Sequence, residues 1–478
     1  MNGTQSTPDR SMLLGFLFFI RLGAVTSYSV MFSTLSLYLV NQYELKTYIA
    51  SDVVGIFVAF VYILPLIASV IGQRLLPFSS LFITGVCWQV LGALILTVND
   101  LEWVYWGLSL FLMGSMVSSI SINMLITQSY ATHEVVERKS AFLWNYSGMN
   151  AGFLIGYVIS GFFQLRHNYA MLFICVAIFS ALSASLMLLA SYRIIAKIEA
   201  QKTKILNLLA TLLIMGLLVI IIHSVFKNAY LSKNLLLECS AIFFVLALTY
   251  LYCVNKQHRS ILRIFFSFTL LSTVFWSIYM LTPTSLMLFV QDYVKTQYGV
   301  IKIPPQWLDI IDALVLVLFT PLLAKFFGKL KNSYNYEVKT PRMFQVGFFI
   351  YIAGIGMLLY AMHYYQAPIS ILWVAIYMAM QAFAEGLIGP GGYALMGDLL
   401  PEKMRSFATA LWMMTLGIAG LIASSISNIA FDSILQYKHN GLGSYHQVFF
   451  FIFILGLTAL LSITLMQGYL TKRRGVIT

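Results

Sequence analysis

Fourteen long apolar runs follow one another from end to end of this chain, and nearly all of its charge lies in the segments between them. A backbone inside a bilayer must satisfy its own amides and carbonyls, and a helix of roughly 20 mostly apolar residues does so. The pattern therefore allows one fold class, an all-α polytopic membrane protein. The expected spans are 12–40, 51–74, 78–98, 103–129, 140–163, 169–193, 204–226, 233–254, 261–291, 307–328, 343–363, 368–397, 405–430 and 446–470. Only 10% of the residues are charged, against about 25% in a soluble domain, and no segment reads as a separate soluble domain.

The basic excess, 29 Lys and Arg against 17 Asp and Glu, follows topology and not a nucleic-acid footprint. With the N-terminus in the cytoplasm and loops assigned alternately, 21 of the 29 fall on the cytoplasmic side, among them the clusters Arg193–Lys204, Lys325–Arg342 and Lys472–Arg474. Seven fall opposite, from Lys46 to Lys438 and including Lys233, and Arg21 lies within a span. This is the positive-inside pattern. It predicts a multi-pass protein of the cell (inner or plasma) membrane with both termini cytoplasmic. The first apolar stretch runs through Val40, too long for a signal peptide, and reads as a retained first helix. Cys87, Cys175, Cys239 and Cys253 lie in or beside apolar runs without a Cys-x-x-Cys spacing, so buried thiols are expected and no metal site. No nucleotide-binding glycine loop and no nucleophile triad stands out. The reading is of a protein that is not an enzyme, without catalytic residues or cofactor, whose partners are a small-molecule substrate and H+ within the lipid bilayer, as a monomer.

Four charged residues within the spans stand out as candidates for function: Arg21, Asp309, Asp312 and Glu385. A charge at bilayer depth costs about 2.5–3.5 kcal/mol on insertion scales, so such groups usually face a cavity and work there. Arg21 reads as a substrate-anion contact, as the partner of an acid, or as a snorkelling or structural cation. Asp309 and Asp312, at i and i+3, share a helix face, and two nearby acids in low dielectric can share a proton. Glu385 sits midway along its helix beside Gly386, Gly389, Pro390, Gly391 and Gly392, a cluster that reads as a helix break. Pro65, Pro283 and Pro321 are further expected bends.

The spans count as six, two and six. Major-facilitator transporters consist of two six-helix halves with substrate bound between them at the midplane. The expected division is an N-terminal bundle at 1–193, a linker with an inserted helix pair at 194–260, and a C-terminal bundle at 261–478. The inserted pair lacks a central charge and is expected to be structural.

Four motifs in order extend this reading. In Glu137-Arg-Lys-Ser-Ala-Phe-Leu-Trp-Asn-Tyr-Ser-Gly-Met-Asn-Ala-Gly152, the residues Tyr146, Asn150 and Gly152 match a fifth-helix signature, with Asn145 where a Phe is usual. Phe275-Trp-Ser-Ile-Tyr279 resembles a seventh-helix opening and Ile303-Pro-Pro-Gln-Trp307 the entrance to an eighth helix. Gln381-Ala-Phe-Ala-Glu-Gly-Leu-Ile-Gly-Pro390 is similar to a tenth-helix motif. Over nearly its full length the chain thus resembles the proton-dependent oligopeptide transporter family of the major facilitator superfamily, whose bacterial members also carry an inserted helix pair.

It departs from that family where charge matters. The family's first-helix motif Glu-x-x-Glu-Arg-Phe-x-Tyr-Tyr, tied to proton coupling, aligns with Arg21, Ala24, Val25, Thr26, Tyr28 and Ser29, so that only Tyr28 survives. The fourth-helix Lys aligns with Ser119, the seventh-helix Glu with Met280, and the Asp of the second loop with Gln73. Asp309 and Asp312 stand where amides are usual. Asn150, Asp312 and Glu385 map onto positions associated with the substrate's amino group. The resemblance implies a secondary active transporter of small peptides or peptide-like amine-bearing solutes, coupled to protons. Arg21, Tyr28, Tyr146, Asn150, Asp312 and Glu385 are its expected substrate-binding residues, and Asp309, Asp312 and Glu385 its proton-coupling residues. Loss of the usual carboxylate anchor leaves open import or export of a non-peptide metabolite, siderophore or drug-like cation. A transport-inactive membrane sensor is a further alternative.

Overall fold

A computed structural model describes residues 7–130, 134–199, 203–254, 258–334, 339–365, 367–399, 402–436 and 441–472. Among them are fourteen helical segments long and apolar enough to cross a membrane, as the hydropathy pattern requires. In order they are α1 (Thr7–Tyr43), α2 (Thr47–Arg74), α3 (Phe78–Ile95), α4 (Leu101–Ser129), α5 (Val135–Leu165), α6 (Tyr169–Arg193), α7 (Ile205–Lys227) and α8 (Ala229–Val254). Then α9 (Arg259–Tyr279) passes through a π-helical turn, Thr282–Leu286, into α10 (Met287–Tyr293). The last five are α11 (Asp309–Tyr334), α12 (Thr340–Tyr364), α13 (Ile371–Leu399), α14 (Glu402–Gln436) and α15 (Gly441–Lys472). Loop residues form two short strand pairs. Val294–Lys295 runs parallel to Ile369–Ser370, and Gln297–Tyr298 antiparallel to Ile301–Lys302.

The chain divides into two compact units. One consists of Met1–Glu44 with Ile56–Ser232, the other of Leu45–Gly55 with Lys233–Thr478.

In the first unit the pairing of α1 with α5 is set by glycines. Gly148, Gly152 and Gly156 recur every fourth residue along one stripe of α5. A Cβ there would lie 2.8 Å from the Phe18 carbonyl, 2.6 Å from that of Leu22 and 2.8 Å from that of Thr26, respectively. Only hydrogen fits between the two backbones. Lipid offers helices no hydrophobic drive to associate, so such close approach and cross-helix hydrogen bonds hold them together. The hydroxyls of Thr26 and Ser29 accordingly donate to the Gly152 carbonyl at 3.2 and 3.4 Å. Ser33 bonds Ser160 at 3.0 Å, and Ser180 of α6 donates to Ser27 at 2.9 Å.

Helix α7 buries one stripe, Thr211, Met215, Val219, Ile222, His223 and Phe226, while Leu206, Leu213 and Leu217 on its other faces are exposed as lipid-facing residues would be. Near its end His223 Nε2 and Lys227 Nζ both lie 3.1 Å from Glu102 Oε1 at the start of α4, and the His223 ring stacks on Trp106. The segment before α7 is tied down too. Glu199 accepts from the backbone N–H of Ser79 at 3.1 Å and from its hydroxyl, in the first turn of α3. Helix N-termini favour a carboxylate in this place.

In the second unit the expected helix breaks turn out unevenly. Pro283 does interrupt regular α-helix, at the π-helical turn, a common site of irregularity in membrane helices. The Gly386–Gly392 cluster does not: α13 runs unbroken from Ile371 to Leu399 through Pro390. Packing requires a glycine at Gly392, where a Cβ would overlap the Trp412 indole, whereas a Cβ would fit at ordinary contact distance at Gly386 and Gly391 and in open space at Gly389. Helices α2 and α11 likewise continue through Pro65 and Pro321.

Candidate functional site

Arg21 lies on the buried side of α1, 8% exposed. Its Nη1 donates to Ser119 Oγ of α4 at 2.7 Å, and Nη2 contacts Met149 Sδ of α5 at 3.3 Å. Its Nε is buried without a hydrogen-bond partner. Among the described residues of its own unit no carboxylate lies within ion-pair distance. The guanidinium is thus a desolvated cation held by one hydroxyl and one thioether, a strong donor set without a matching anion. Ser119 is the position that the resemblance described above aligns with a fourth-helix Lys.

The other expected residues of this unit fall around that face. Tyr28 is two turns further along α1 in an aromatic surround of Phe32, Phe57 and Phe153, with ring centroids 5.9, 6.4 and 6.1 Å away. Asn150 is 6% exposed and donates to the carbonyl of Tyr146, one turn back on its own helix, at 3.1 Å. The Tyr146 ring is 40% exposed.

The second unit gathers acid. Asp309 opens α11 and Asp312 follows on the same face; they are 2% and 8% exposed, close enough for their charges to interact. Glu385, half-buried on α13, interacts with Asp312 in the same way. The bridge between the two helices is Tyr279 at the end of α9. Its hydroxyl donates to Asp312 Oδ2 at 3.1 Å and also faces the Glu385 carboxyl. Asp309 Oδ2, Asp312 Oδ1 and Glu385 Oε2 are all buried without hydrogen-bond partners. No Lys, Arg or His of this unit pairs with them among the described residues. Behind Glu385, a neutral chain fixes the helices: Tyr377 and Tyr351 hydroxyls 3.3 Å apart, Tyr351 donating to Gln381 Oε1 at 3.0 Å, and Gln381 Nε2 donating to Thr282 at 3.1 Å. Three carboxyls with three orphan oxygens and one shared phenol are a receptor for positive charge, as an ammonium group or as protons.

Sequence reasoning missed Tyr279 and Ser119 as participants, although both fall at motif positions. It also passed over a buried pair: Asp52 is fully buried and Lys233 is 3% exposed, their charged atoms 2.9 Å apart. Both stand within two residues of an expected span start. Helices α2 and α8 begin at Thr47 and Ala229, one turn earlier than the apolar windows, and so hold these groups a turn in from the helix ends.

A bundle of fourteen candidate spans with a cation buried in one unit and an acid cluster in the other is a major-facilitator-type secondary transporter. Residues 57–441 match the POT family, to which the chain therefore belongs. It is 24% identical over 405 residues to the peptide transporter YePEPT of Yersinia enterocolitica subsp. palearctica, covering 79% of this chain and 78% of that protein. It is 21% identical over 448 residues to dipeptide and tripeptide permease A of Serratia proteamaculans, covering 90% and 86%. Its fold is shared with a POT family transporter solved in complex with 5-aminolevulinic acid, with TM-score 0.83, 19% identity and 96% of each chain covered.

Proposed function

We propose that this protein is a proton-coupled secondary transporter of small peptides or peptide-like solutes that carry an amine. The observation that carries the reading is the acid cluster of Asp309, Asp312 and Glu385, in which one tyrosine hydroxyl joins Asp312 and Glu385 and each carboxyl keeps a buried oxygen without a hydrogen-bond partner. Carboxyls this poorly compensated are retained at a membrane protein's interior for use. Asp312 and Glu385 take the ammonium group, and protons exchange on the three carboxyls as the solute arrives and leaves. Arg21, with Tyr28, Tyr146 and Asn150, serves the anionic and neutral parts of the solute. The relatives named for peptide transport, and the fold relative bound to an amine-bearing carboxylic acid, support this substrate class.

The protein works as a monomer in the cell membrane, with both termini in the cytoplasm and no cofactor. In reconstituted vesicles, Glu385→Gln and Asp312→Asn each abolish gradient-driven dipeptide uptake. Normal uptake by both variants sinks the assignment. A non-peptide solute is favoured by one observation, the absence of the family's first-helix acids and fourth-helix Lys. Failure of a dipeptide panel to compete for binding, with success of an amine or siderophore panel, selects it.

A further inference from the structure

The second unit holds another charged site, away from the acid cluster and from every motif. Asp52 Oδ1 forms an ion pair with Lys233 Nζ of α8 at 2.9 Å and accepts two hydrogen bonds, from Ser424 Oγ of α14 at 2.6 Å and from Asn428 Nδ2 of α14 at 2.9 Å. All four residues are buried. The arrangement is lopsided. Asp52 Oδ2 is buried with no hydrogen-bond partner, and so are Asn428 Oδ1 and the Ser51 hydroxyl next in the chain. Two orphan acceptors on side chains that touch each other call for a donor or a positive charge that the protein itself does not supply there.

A fixed brace would not be built this way. Buried ion pairs are seldom more stabilising than apolar packing of the same volume, and a pair kept for rigidity has its remaining lone pairs satisfied. Lys233 also has somewhere to go. It lies one turn inside the start of α8 at Ala229, on a flexible four-carbon stem that can carry its ammonium toward the helix end. The cation held against Asp52 is therefore tethered but displaceable.

We infer that Asp52, Ser424 and Asn428 form an exchangeable site for Na+, with Lys233 as its built-in competitor. The ion takes up Asp52 Oδ2 and Asn428 Oδ1 and replaces Lys233 at the carboxylate. The exchange makes α8 responsive to the ion, because α8 is held to α2 and α14 through this contact. The groups facing Asp52 are Lys233 from α8 and the neutral Ser424 and Asn428 from α14. The inference is independent of substrate class, and its test does not use transport.

Thermal unfolding of the full-length protein in lipid nanodiscs is followed as NaCl replaces choline chloride at constant ionic strength. Wild type is expected to show a rise in unfolding temperature with NaCl that Asp52→Asn lacks. Identical salt responses in the two proteins overturn the inference. Lys233→Met keeps Asp52 in place and covers the case in which Asp52→Asn does not fold. It is expected to tighten the sodium response at least tenfold, and a variant that behaves as wild type again overturns it.

Discussion

Replacing Arg21 with Met keeps an unbranched side chain of similar reach and removes the charge. In the folded protein the guanidinium has one strong bond, 2.7 Å to Ser119, and one weak contact, 3.3 Å to a thioether. Against these stands the desolvation of a cation with no carboxylate in its own unit, which costs several kcal/mol even after relaxation. A hydrogen bond to a charged group returns about 1.5–3 kcal/mol. Stability is therefore expected to stay level or rise in Arg21→Met. Binding should move the other way. A substrate carboxylate satisfied by the guanidinium loses a charge-assisted bond of about the same 1.5–3 kcal/mol, and at 1.4 kcal/mol per factor of ten this weakens binding roughly 10- to 150-fold. The assay pairs thermal unfolding of the purified protein with binding of a dipeptide and of its C-terminal amide. In wild type the dipeptide binds better than the amide; in Arg21→Met the two bind equally, with the amide unaffected. Arg21→Lys should fall between, since a point charge replaces a planar fork. A large fall in unfolding temperature, with the preference for the free carboxylate intact, would falsify the assignment and leave Arg21 as a structural residue.

Tyr279→Phe removes the one donor joining α9 to the acid cluster; gradient-driven uptake is expected to drop about tenfold or more with a displaced pH profile, and an unaltered profile in proteoliposomes counts against the bridge. Gly152→Ala places a Cβ 2.6 Å from the Leu22 carbonyl and should cost about 1–3 kcal/mol by overpacking, whereas Gly389→Ala meets nothing within 4 Å and should be neutral or better; equal unfolding temperatures for the two would remove the close-packing account. Glu199 titrates where it can be read in stability. Burial holds its carboxyl above the ordinary range, and bonds from Ser79 only partly draw it back. The folded state then binds this proton more readily than the unfolded chain, so wild type gains stability as pH falls through the folded pKa, and the gain levels off below the unfolded value near about 4.3. Glu199→Gln lacks that gain, and a wild-type-to-variant difference that stays flat between about pH 7 and 4.5 would contradict it.

The helix count was legible because it rests on a single physical quantity, the length of apolar backbone a bilayer demands. The acid cluster was legible for the same reason in reverse: Asp312 and Glu385 stand out against apolar neighbours whatever they touch. Asp52 and Lys233 were not, because their meaning depends on where a helix begins. A turn of polar residues such as Thr47–Ser51 or Ala229–Ser232 reads as loop by hydropathy and is helix in the fold. Gly386–Gly392 misled in the other direction. Glycine and proline lower helix propensity, but in this apolar setting α13 stays helical and the missing side chain of Gly392 makes room for Trp412. The role of Ser119 needed three dimensions. Its alignment with a basic position marked a loss in the sequence, and only the fold places the Arg21 guanidinium against it.

The glycine stripe of α5 has a mechanical meaning as well. Three successive backbone contacts at Gly148, Gly152 and Gly156 leave α1 no freedom to slide or roll against α5 without a steric penalty at each step. The two helices are in effect one part. Whatever displacement carries Asn150 and Tyr146 during a transport cycle carries Arg21 and Tyr28 by the same amount and in the same direction. The spacing between the expected cationic and neutral contacts of this unit is a constant of the protein, set by hydrogen atoms on three α-carbons.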